Sequence, residues 1–247
     1  MKRMMNESGF TLLEVAMVLF IVGIALSVML SPLGDQRQRL KRAETDQQLA
    51  DIQEVLLGYL AVNGQLPCPA INSSDGTEQR TSNVCTTQHG FLPAVTLGMV
   101  GAYSDAEALL LDTWGNPYRY SISNETAAGN GSDWDFVTAA DLVSAWGGTI
   151  SEGDLEICDA ENCGGTFTIS DAVVVVFSMG ADWANGTTSG DQLENLGGTL
   201  GAYAVPGDLE FVSKTASVIA GSEFDDQLIW LSTQQVYAQL LTAGRIP

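Results

Sequence analysis

The feature that most constrains this chain is a long apolar run close to its N-terminus. The run extends from Phe10 to Leu30, and residues 15–34 carry no charge. Its clearly polar residues are Thr11, Glu14 and Ser27. Because about 20 apolar residues rising 1.5 Å each match the roughly 30 Å apolar core of a bilayer, the run predicts a membrane-spanning helix.

The clearest processing signal lies before this apolar run rather than after it. An ordinary secretory signal peptide is cleaved after its apolar segment. Here the clearest processing-like site ends at Gly9, immediately before Phe10, so cleavage there would leave the helix on the mature protein. With Glu14 as the fifth residue of that mature chain, the order resembles the leader peptide and N-terminal methylation motif of type IV prepilins. A simple N-terminal anchor with a tolerated acid is the alternative interpretation.

The resemblance implies a route of processing and assembly. Prepilin peptidase would cleave between Gly9 and Phe10, and the new amine of Phe10 would be N-methylated. The protein would sit in the inner membrane as a single-pass protein, with a cytoplasmic N-terminus and a periplasmic domain. An inner-membrane assembly platform would then combine it with other pilin or pseudopilin subunits, and it would reach the cell surface in a pilus.

Glu14 needs a physical explanation because an acid inside a spanning helix costs a few kcal/mol, so such residues usually have a partner. The resemblance implies that this partner is the Phe10 amine of a neighbouring subunit. In the unassembled monomer, Glu14 could instead extend its carboxylate to the cytoplasmic interface.

Composition restricts the partners of the rest of the chain. The 247 residues carry a formal net charge of −20, and 25 acids face only four bases after residue 50. A surface this acidic repels phosphates, so direct binding of nucleic acid is excluded. The length leaves room for one sizeable domain, or two small ones, beyond the helix.

A basic cluster follows the apolar run. Its four bases are Arg37, Arg39, Lys41 and Arg42. By the positive-inside rule they favour the opposite membrane orientation, but the leader motif and the cysteines, which need an oxidising side, outweigh that count. We expect the cluster to be a solvated helix face that meets anionic lipid or acidic neighbouring subunits.

The four cysteines all lie after the helix and lack the paired CxxC spacing of zinc sites. An even number in an exported domain indicates two disulfides, for which three connectivities exist. We favour Cys68–Cys85 and Cys158–Cys163, which are closest in sequence and close polar loops. Free buried thiols are the alternative.

The predicted fold is α+β, with a long N-terminal helix, half transmembrane, packed on an antiparallel sheet with long disulfide-pinned loops. A stripe of Leu49, Ile52, Leu56 and Tyr59 continues the helix to about Val62. The predicted divisions are a leader (1–9), a transmembrane and filament-core segment (10–34) and a periplasmic or extracellular globular domain (35–247).

Further elements are expected along the domain. The pattern predicts a short helix over residues 104–111, loops and weak strands over 123–170, and a last helix over 233–243 capped by Ser232. Strands are expected at 118–122, 172–177, 209–212 and 228–231.

Three blocks carry further resemblance. Residues 112–118 (Asp-Thr-Trp-Gly-Asn-Pro-Tyr) resemble the block that opens the sheet in type II secretion pseudopilins and related minor pilins. Residues 178–182 (Ser-Met-Gly-Ala-Asp) resemble the Ser-x-Gly-x-Asp loop of pseudopilins. Residues 224–226 (Phe-Asp-Asp) are similar to the C-terminal pattern of large minor pilin-like proteins.

No constellation for catalysis is found, and we expect no enzyme. The chain has a single histidine, His89, which we expect in a surface loop, and no nucleotide-binding or zinc-protease motif. The one candidate site is for calcium, which prefers oxygen ligands. Its candidate ligands are Asp182, Asn185, Asp191, Asp225 and Asp226. A solvated loop of Asx-turns is the alternative.

The sequence therefore predicts a structural minor subunit of a type IV pilus. A type II secretion pseudopilin is the first alternative. An adhesin displayed on a pilus, binding a ligand through residues 123–170 or 182–207, is an alternative of another class.

Overall fold

The computed structural model describes most of the chain. Described are residues 11–124, 134–148, 150–161, 163, 167–181, 190–198, 201, 203–219 and 222–247, with backbone only at 26–33 and 35. The chain divides after Ala43 into two compact units, of which Glu44–Pro247 is the larger.

The N-terminal helix α1 spans Leu12–Asn63. Its predicted end is correct to within one residue. Gly64 adopts a left-handed φ of 72° and donates its N–H to Leu60 O, which closes the helix in the manner of a glycine C′ residue. Arg245 also hydrogen-bonds the terminal carbonyls of Ala61 and Val62.

The larger unit is built on a six-stranded sheet. Its strands are β3 (His89–Phe91), β4 (Arg119–Ile122), β5 (Leu155–Cys158), β6 (Ile169–Ser178), β7 (Glu210–Val212) and β8 (Gln227–Ser232). The order is β3-β4-β6-β5-β7, and β8 also pairs with β6. Central β6 pairs antiparallel with β5 at its start, with β4 at its end, and with β8 along most of its length.

The sheet is mixed. The prediction of an antiparallel sheet is wrong for one strand pair at its edge. Strands β5 and β7 are parallel, with Glu156 opposite Glu210 and Cys158 opposite Val212. A parallel pair needs a crossover of a dozen or more residues. The long stretch between Cys158 and Glu210 supplies it, because the chain crosses through β6 before it returns.

Both faces of the sheet are buried, as the continuous apolar sequence of β6 predicts. On one face Val174 and Val176 share a core with Leu49, Ile52 and Leu56 of α1. The opposite face buries Val175, Phe177, Met179, Leu196 and Phe211. The same α1 stripe that the sequence pattern predicts therefore anchors the helix within this unit.

Shorter elements surround the sheet. They are the hairpin strands β1 (Arg80–Thr81) and β2 (Val84–Cys85) and the helices α2 (Ala139–Trp146), α3 (Gly190–Glu194) and α4 (Thr233–Thr242). Helix α4 begins as predicted, because Ser232 and Gln235 form a reciprocal capping box.

Two predictions of local structure are wrong. Residues 104–111 form no helix, because Ala108 has a φ of 50° and Ser104 turns back to pair its N–H with Leu109 O. Residues 123–170 contain α2, a helix that the expected loops and weak strands omit. It follows a 3-10 turn at Asp135–Val137 and buries Leu142 and Ala145.

At the outer edge of β7, the side chain of Asn195 covers the backbone of Val212. Asn195, just after α3, accepts the N–H of Val212 at 2.7 Å and donates to the C=O of Val212 at 3.0 Å. The N–H and C=O of Val212 point away from β5, because the backbone groups of the adjacent residues Phe211 and Ser213 face that strand. Asn195 therefore satisfies the backbone of Val212 as a neighbouring strand would.

Candidate functional site

The N-terminal part of α1 presents apolar side chains on every side. Leu12 is 89% exposed, and Met17, Phe20 and Ile24 are also exposed. Glu14 lies in the first turn, where its N–H bonds Thr11 O at 3.0 Å. A helix that is apolar all round is normally buried, whereas these side chains are exposed among the residues that the structure describes. The predicted cleavage and methylation residues, Gly9 and Phe10, lie outside the described residues.

Across the part of the chain that the structure describes, no helix offers a stretch of the length and apolarity that crossing a membrane requires.

Two of the three sequence blocks meet in the larger unit. Asp112, from block 112–118, accepts N–H groups of Trp114 (2.9 Å) and Asn116 (2.8 Å) on Oδ1. Ser178, from block 178–182, donates its hydroxyl to Asp112 Oδ2 at 2.5 Å. Burial raises the pKa of Asp112, while these hydrogen bonds act to lower it. The Asp112 side chain thus fixes its own turn and the end of β6.

The third block, residues 224–226, contacts the other two blocks through Asp225. Asn116 donates from Nδ2 to Gly180 O at 2.7 Å, and Asp225 Oδ2 accepts the N–H of Ala181 at 2.5 Å. Gly180 has a φ of 68°, and a Cβ there would overlap the Asp225 carboxylate. Only glycine fits this conformation and this contact. We call the five residues Asp112, Asn116, Ser178, Gly180 and Asp225 the motif junction.

The candidate calcium ligands that the structure describes make hydrogen bonds or ion pairs with other groups of the protein. Asp225 Oδ1 accepts Gln192 Nε2 at 2.8 Å, and Asp226 Oδ2 accepts Asn195 Nδ2 at 2.8 Å. Asp191 pairs with Lys214 and accepts the N–H of Glu161 at 2.8 Å.

Asp191 and Asp225 therefore serve different local structures. Asp191 ties the loop closed by Cys158 and Cys163 to α3, whereas Asp225 belongs to the motif junction. The other two candidates, Asp182 and Asn185, lie outside the described residues. Among the residues that are described, no three histidine, cysteine or acidic side chains cluster as a metal site requires.

Arg119 is the residue of this region that the sequence analysis missed. Its side chain is fully buried in β4, where Nε donates to Ala204 O at 2.5 Å and NH1 donates to Pro117 O at 2.7 Å. Its guanidinium lies 4.6 Å from the ring centre of Phe91. Burial lowers the pKa of Arg119 to about 9, against the charges of Asp112 and Asp226. It stays charged at neutral pH and holds the 203–205 segment.

The sequence analysis expected His89 in a surface loop, and this expectation is wrong. His89 starts edge strand β3, its Nδ1 lies 2.9 Å from Ser121 Oγ, and its ring faces Phe211. Burial lowers the pKa of His89 to about 4, so the imidazole is neutral in the folded protein at physiological pH. Within the described residues, the His89 ring is placed in the sheet with the Ser121 hydroxyl as its hydrogen-bond partner.

The structure contains both favoured disulfides. Cys68 is joined to Cys85 and Cys158 to Cys163, with Cα–Cα distances of 5.3 Å in each. The first loop is further organised by Glu78, whose Oε2 accepts Cys68 N–H at 2.9 Å and pairs with Arg80 at 3.0 Å. Both bridges lie in the larger unit and pin loops at its surface.

Comparison with known proteins identifies one segment. Residues 4–30 match the family model of the prokaryotic N-terminal methylation motif. No curated protein and no solved structure matches the chain. The chain therefore carries the N-terminal motif of type IV pilin and pseudopilin-like proteins.

Proposed function

We propose that this protein is a structural filament subunit, specifically a minor pilin of a type IV pilus. The observation that carries the proposal is the methylation motif at residues 4–30, continuous with a helix whose apolar side chains from Leu12 to Ile24 are exposed. A prepilin motif implies cleavage by prepilin peptidase and assembly with other pilin subunits. An exposed apolar helix is what such an assembly would bury.

The proposed route has three steps. Prepilin peptidase cleaves between Gly9 and Phe10, and the amine of Phe10 is methylated. The segment 10–34 holds the subunit in the inner membrane with its domain (35–247) on the periplasmic side. Assembly then moves this segment from lipid into the filament, where Glu14 compensates the Phe10 amine of a neighbour. Each environment is apolar, so the transfer preserves burial of the helix.

The long loops of the domain favour a minor pilin over a major one. Residues 92–118, and the described part of 179–209, contain none of the strands β1–β8, and two disulfides pin other loops of the same unit. A subunit of this kind suits low copy number near a filament tip better than a repeating shaft. No catalytic function is proposed.

A type II secretion pseudopilin is the second candidate. It is favoured by the motif junction, because the two blocks that resemble pseudopilin sequences are hydrogen-bonded to each other through Asn116 and Gly180. Deletion of the gene separates the two candidates. Loss of exoprotein export would support the pseudopilin, and loss or shortening of surface filaments would support the pilin.

Glu14→Leu tests the filament role directly. A passive anchor gains nothing from a carboxylate in lipid, so the variant should insert at least as well as the native chain. A filament subunit would leave the neighbour's Phe10 amine uncompensated, and breaking a buried pair costs about 3–5 kcal/mol. We expect Glu14→Leu to be cleaved and retained in the membrane, yet strongly depleted from sheared filaments.

Glu54→Leu is the matched control, because Glu54 is an exposed acid on the same helix α1. It should enter filaments at native levels. Native incorporation of Glu14→Leu would refute the charge-pairing mechanism. A mature chain beginning after Leu30 would refute the filament role altogether.

A further inference from the structure

A pocket lies between helices α2 and α4 of the larger unit. Its volume is about 370 Å³, and sites for small molecules usually enclose about 300–1,000 Å³. Two of its apolar residues, Ile150 and Leu241, are 43% and 42% exposed. A pocket of this size with accessible apolar walls suits a small molecule that has an apolar face of its own.

One wall of the pocket is an aromatic pair. Trp146 of α2 and Tyr237 of α4 stack with their ring centres 5.7 Å apart and their planes inclined by 29°. Tyr237 is buried, whereas Trp146 is half-buried. Trp146 Nε1 already donates to Pro247 O at 2.9 Å, so the indole offers the pocket a ring surface rather than a polar group. These two contacts hold the ring in place before a ligand arrives, which lowers the cost of binding.

Two polar side chains stand at the rim of the pocket. Glu152 and Gln234 both line it, and both are exposed. Within the described residues, neither side chain makes a hydrogen bond or an ion pair. The hydroxyl of Thr233, by contrast, accepts Gly153 N–H at 2.9 Å and donates to Asp171 O at 3.0 Å. A carboxylate offers acceptors, and an amide offers both donors and an acceptor, so the rim can bind several hydroxyl groups.

Charge and shape together restrict the ligand. With 25 acids against four bases after residue 50, and Glu152 at the rim, phosphates and acidic sugars are repelled. A small cation would use Glu152 and the indole of Trp146, but it would leave the amide of Gln234 and the apolar walls unused. A neutral pyranose ring uses all of them, because its C–H hydrogens form an apolar face and its hydroxyls project from its edge.

The two helices that form the pocket meet α1 near its end. Gln239 of α4 donates to Leu57 O at 3.3 Å, and the N–H of Ala139, which begins α2, donates to Gln65 Oε1 at 3.1 Å. The larger unit begins at Glu44, and Leu57 lies about 20 Å further along α1 at 1.5 Å per residue. Along α1, the helices that form the pocket are therefore remote from Glu44.

We propose that this pocket binds a neutral saccharide, with one face of a pyranose ring stacked against Trp146 and its hydroxyls hydrogen-bonded to Glu152 and Gln234. The inference goes beyond the filament role and gives a site to the ligand-binding alternative, whose expected region 123–170 contains Trp146 and Glu152. Helix α4 lies outside that region, so the sequence pointed to only one wall of the pocket.

Saturation-transfer difference NMR on the full-length protein tests the site. The protein is kept in a polyoxyethylene detergent, which carries neither a sugar nor a charge. The probes are the methyl glycosides of glucose, galactose and mannose. At least one of them should receive saturation, most strongly at the ring C–H protons of the stacked face. Tetramethylammonium, measured in the same way, is the probe for a cation site.

Filling the pocket should abolish binding. Ala238 lines the pocket and is exposed, so Ala238→Trp adds bulk there without removing a buried contact. Ala50→Trp is the matched control, because Ala50 is an exposed alanine of α1 outside the pocket, and it should bind as the native protein does. Circular dichroism checks that both variants keep the native fold.

Removing the rim groups should weaken binding without filling the pocket. Glu152→Ala should raise the Kd about fivefold or more and Gln234→Ala about threefold, because hydrogen bonds to charged groups are the stronger ones. Asp105→Ala removes an exposed acid outside the pocket and should leave the Kd unchanged. These two rim variants decide the matter if Ala238→Trp fails to fold.

A glycoside that binds the native protein, is lost with Ala238→Trp and is weakened by Glu152→Ala supports the inference. Binding of none of the glycosides, binding that survives both variants, or saturation of tetramethylammonium in their place would overturn it. The filament role is read separately, from the depletion of Glu14→Leu in sheared filaments, so either proposal can fail without the other.

Discussion

The side-chain amide of Asn116 donates a hydrogen bond to the backbone carbonyl of Gly180 across 2.7 Å, although 64 residues separate the two in the chain. Asn116 is buried, and Gly180 adopts a left-handed conformation against Asp225. The turn at residues 112–118 and the loop after β6 are therefore one structural unit. Any ligand or subunit contact made by one of them is positioned by the other.

Asn116→Ala should destabilise the larger unit by about 1–3 kcal/mol, because it leaves the buried Gly180 carbonyl without its donor. Urea unfolding of a fragment comprising residues 44–247 measures the change. Asn63→Ala is the matched control, since the Asn63 amide also donates to a backbone carbonyl but is exposed. It should cost less than about 0.5 kcal/mol. Equal losses in the two variants would contradict a special role for the junction.

Gly9→Val should leave uncleaved precursor in the membrane. The proposed peptidase site precedes the apolar run, and a bulky side chain there would block access to the bond before Phe10. Intact-mass measurement should show the native protein without residues 1–9 and with one added methyl group, and Gly9→Val with the full precursor mass. Native processing of the variant would show that cleavage occurs elsewhere.

Removing each disulfide by paired alanine substitution should destabilise the domain unequally. Cys68 and Cys85 are 17 residues apart, whereas Cys158 and Cys163 are five apart. In the loop-entropy description the first closure contributes about 3 kcal/mol and the second about 2 kcal/mol. Non-reducing peptide mapping checks the pairing and denaturant unfolding the magnitudes. Four free thiols in protein from the periplasmic side would refute both bridges.

Stability should depend on pH through His89. Burial lowers its pKa from 6.5 to about 4, so between these values the unfolded chain binds a proton that the folded chain does not. The unfolding free energy should therefore fall as pH drops from 6.5 towards 4, by at most about 3 kcal/mol.

His89→Gln should remove that part of the pH dependence, and since the chain has no other histidine, no second imidazole masks the difference. The raised pKa of Asp112 acts with the opposite sign, because its folded form binds a proton more readily than the unfolded one. It is common to both proteins. Parallel stability curves for native and variant protein would contradict the burial of a neutral His89.

Asp191→Ala distinguishes a structural ion pair from a calcium ligand. The variant loses the Lys214 pair and the Glu161 hydrogen bond, which together should cost about 1–2 kcal/mol with or without calcium. Thermal unfolding in calcium and in chelator measures the change, and Asp159→Ala, an exposed acid on the same disulfide loop, is the control. A loss seen only in calcium would instead support metal binding by Asp191.

The sequence predicted those helix ends and strands whose formation depends on residues close together in the chain. The end of α1 at Gly64, the buried strand β6 and the Ser232 cap of α4 each follow from residues adjacent in sequence. Helix α2 escaped prediction because its eight residues follow a glycine-rich stretch and bury only two side chains. Its Trp146 stacks on Tyr237 from a distant helix, a contact that no sequence window contains.

The site depended more on tertiary contacts. The residues of blocks 112–118, 178–182 and 224–226 were found from sequence, but their convergence was not, because strand order is set by long-range pairing. Arg119 gave no signal, since a charged residue in a short strand is normally expected to face water. The partners of Asp191 and Asp225 could not be predicted either, because they lie far away in sequence. Both acids were candidate calcium ligands, and both accept hydrogen bonds from protein donors.

Under the proposed filament role, the cover that Asn195 places over Val212 has a consequence. Subunits crowded along a fibre hold their sheets at high local concentration, and a bare sheet edge would let one sheet recruit the next by backbone pairing. Growth of that kind is hard to reverse and ignores the order in which subunits are delivered. With Val212 closed by an amide, this position offers no backbone groups to a second sheet, so under the proposed role this part of the edge is kept for contacts made by side chains.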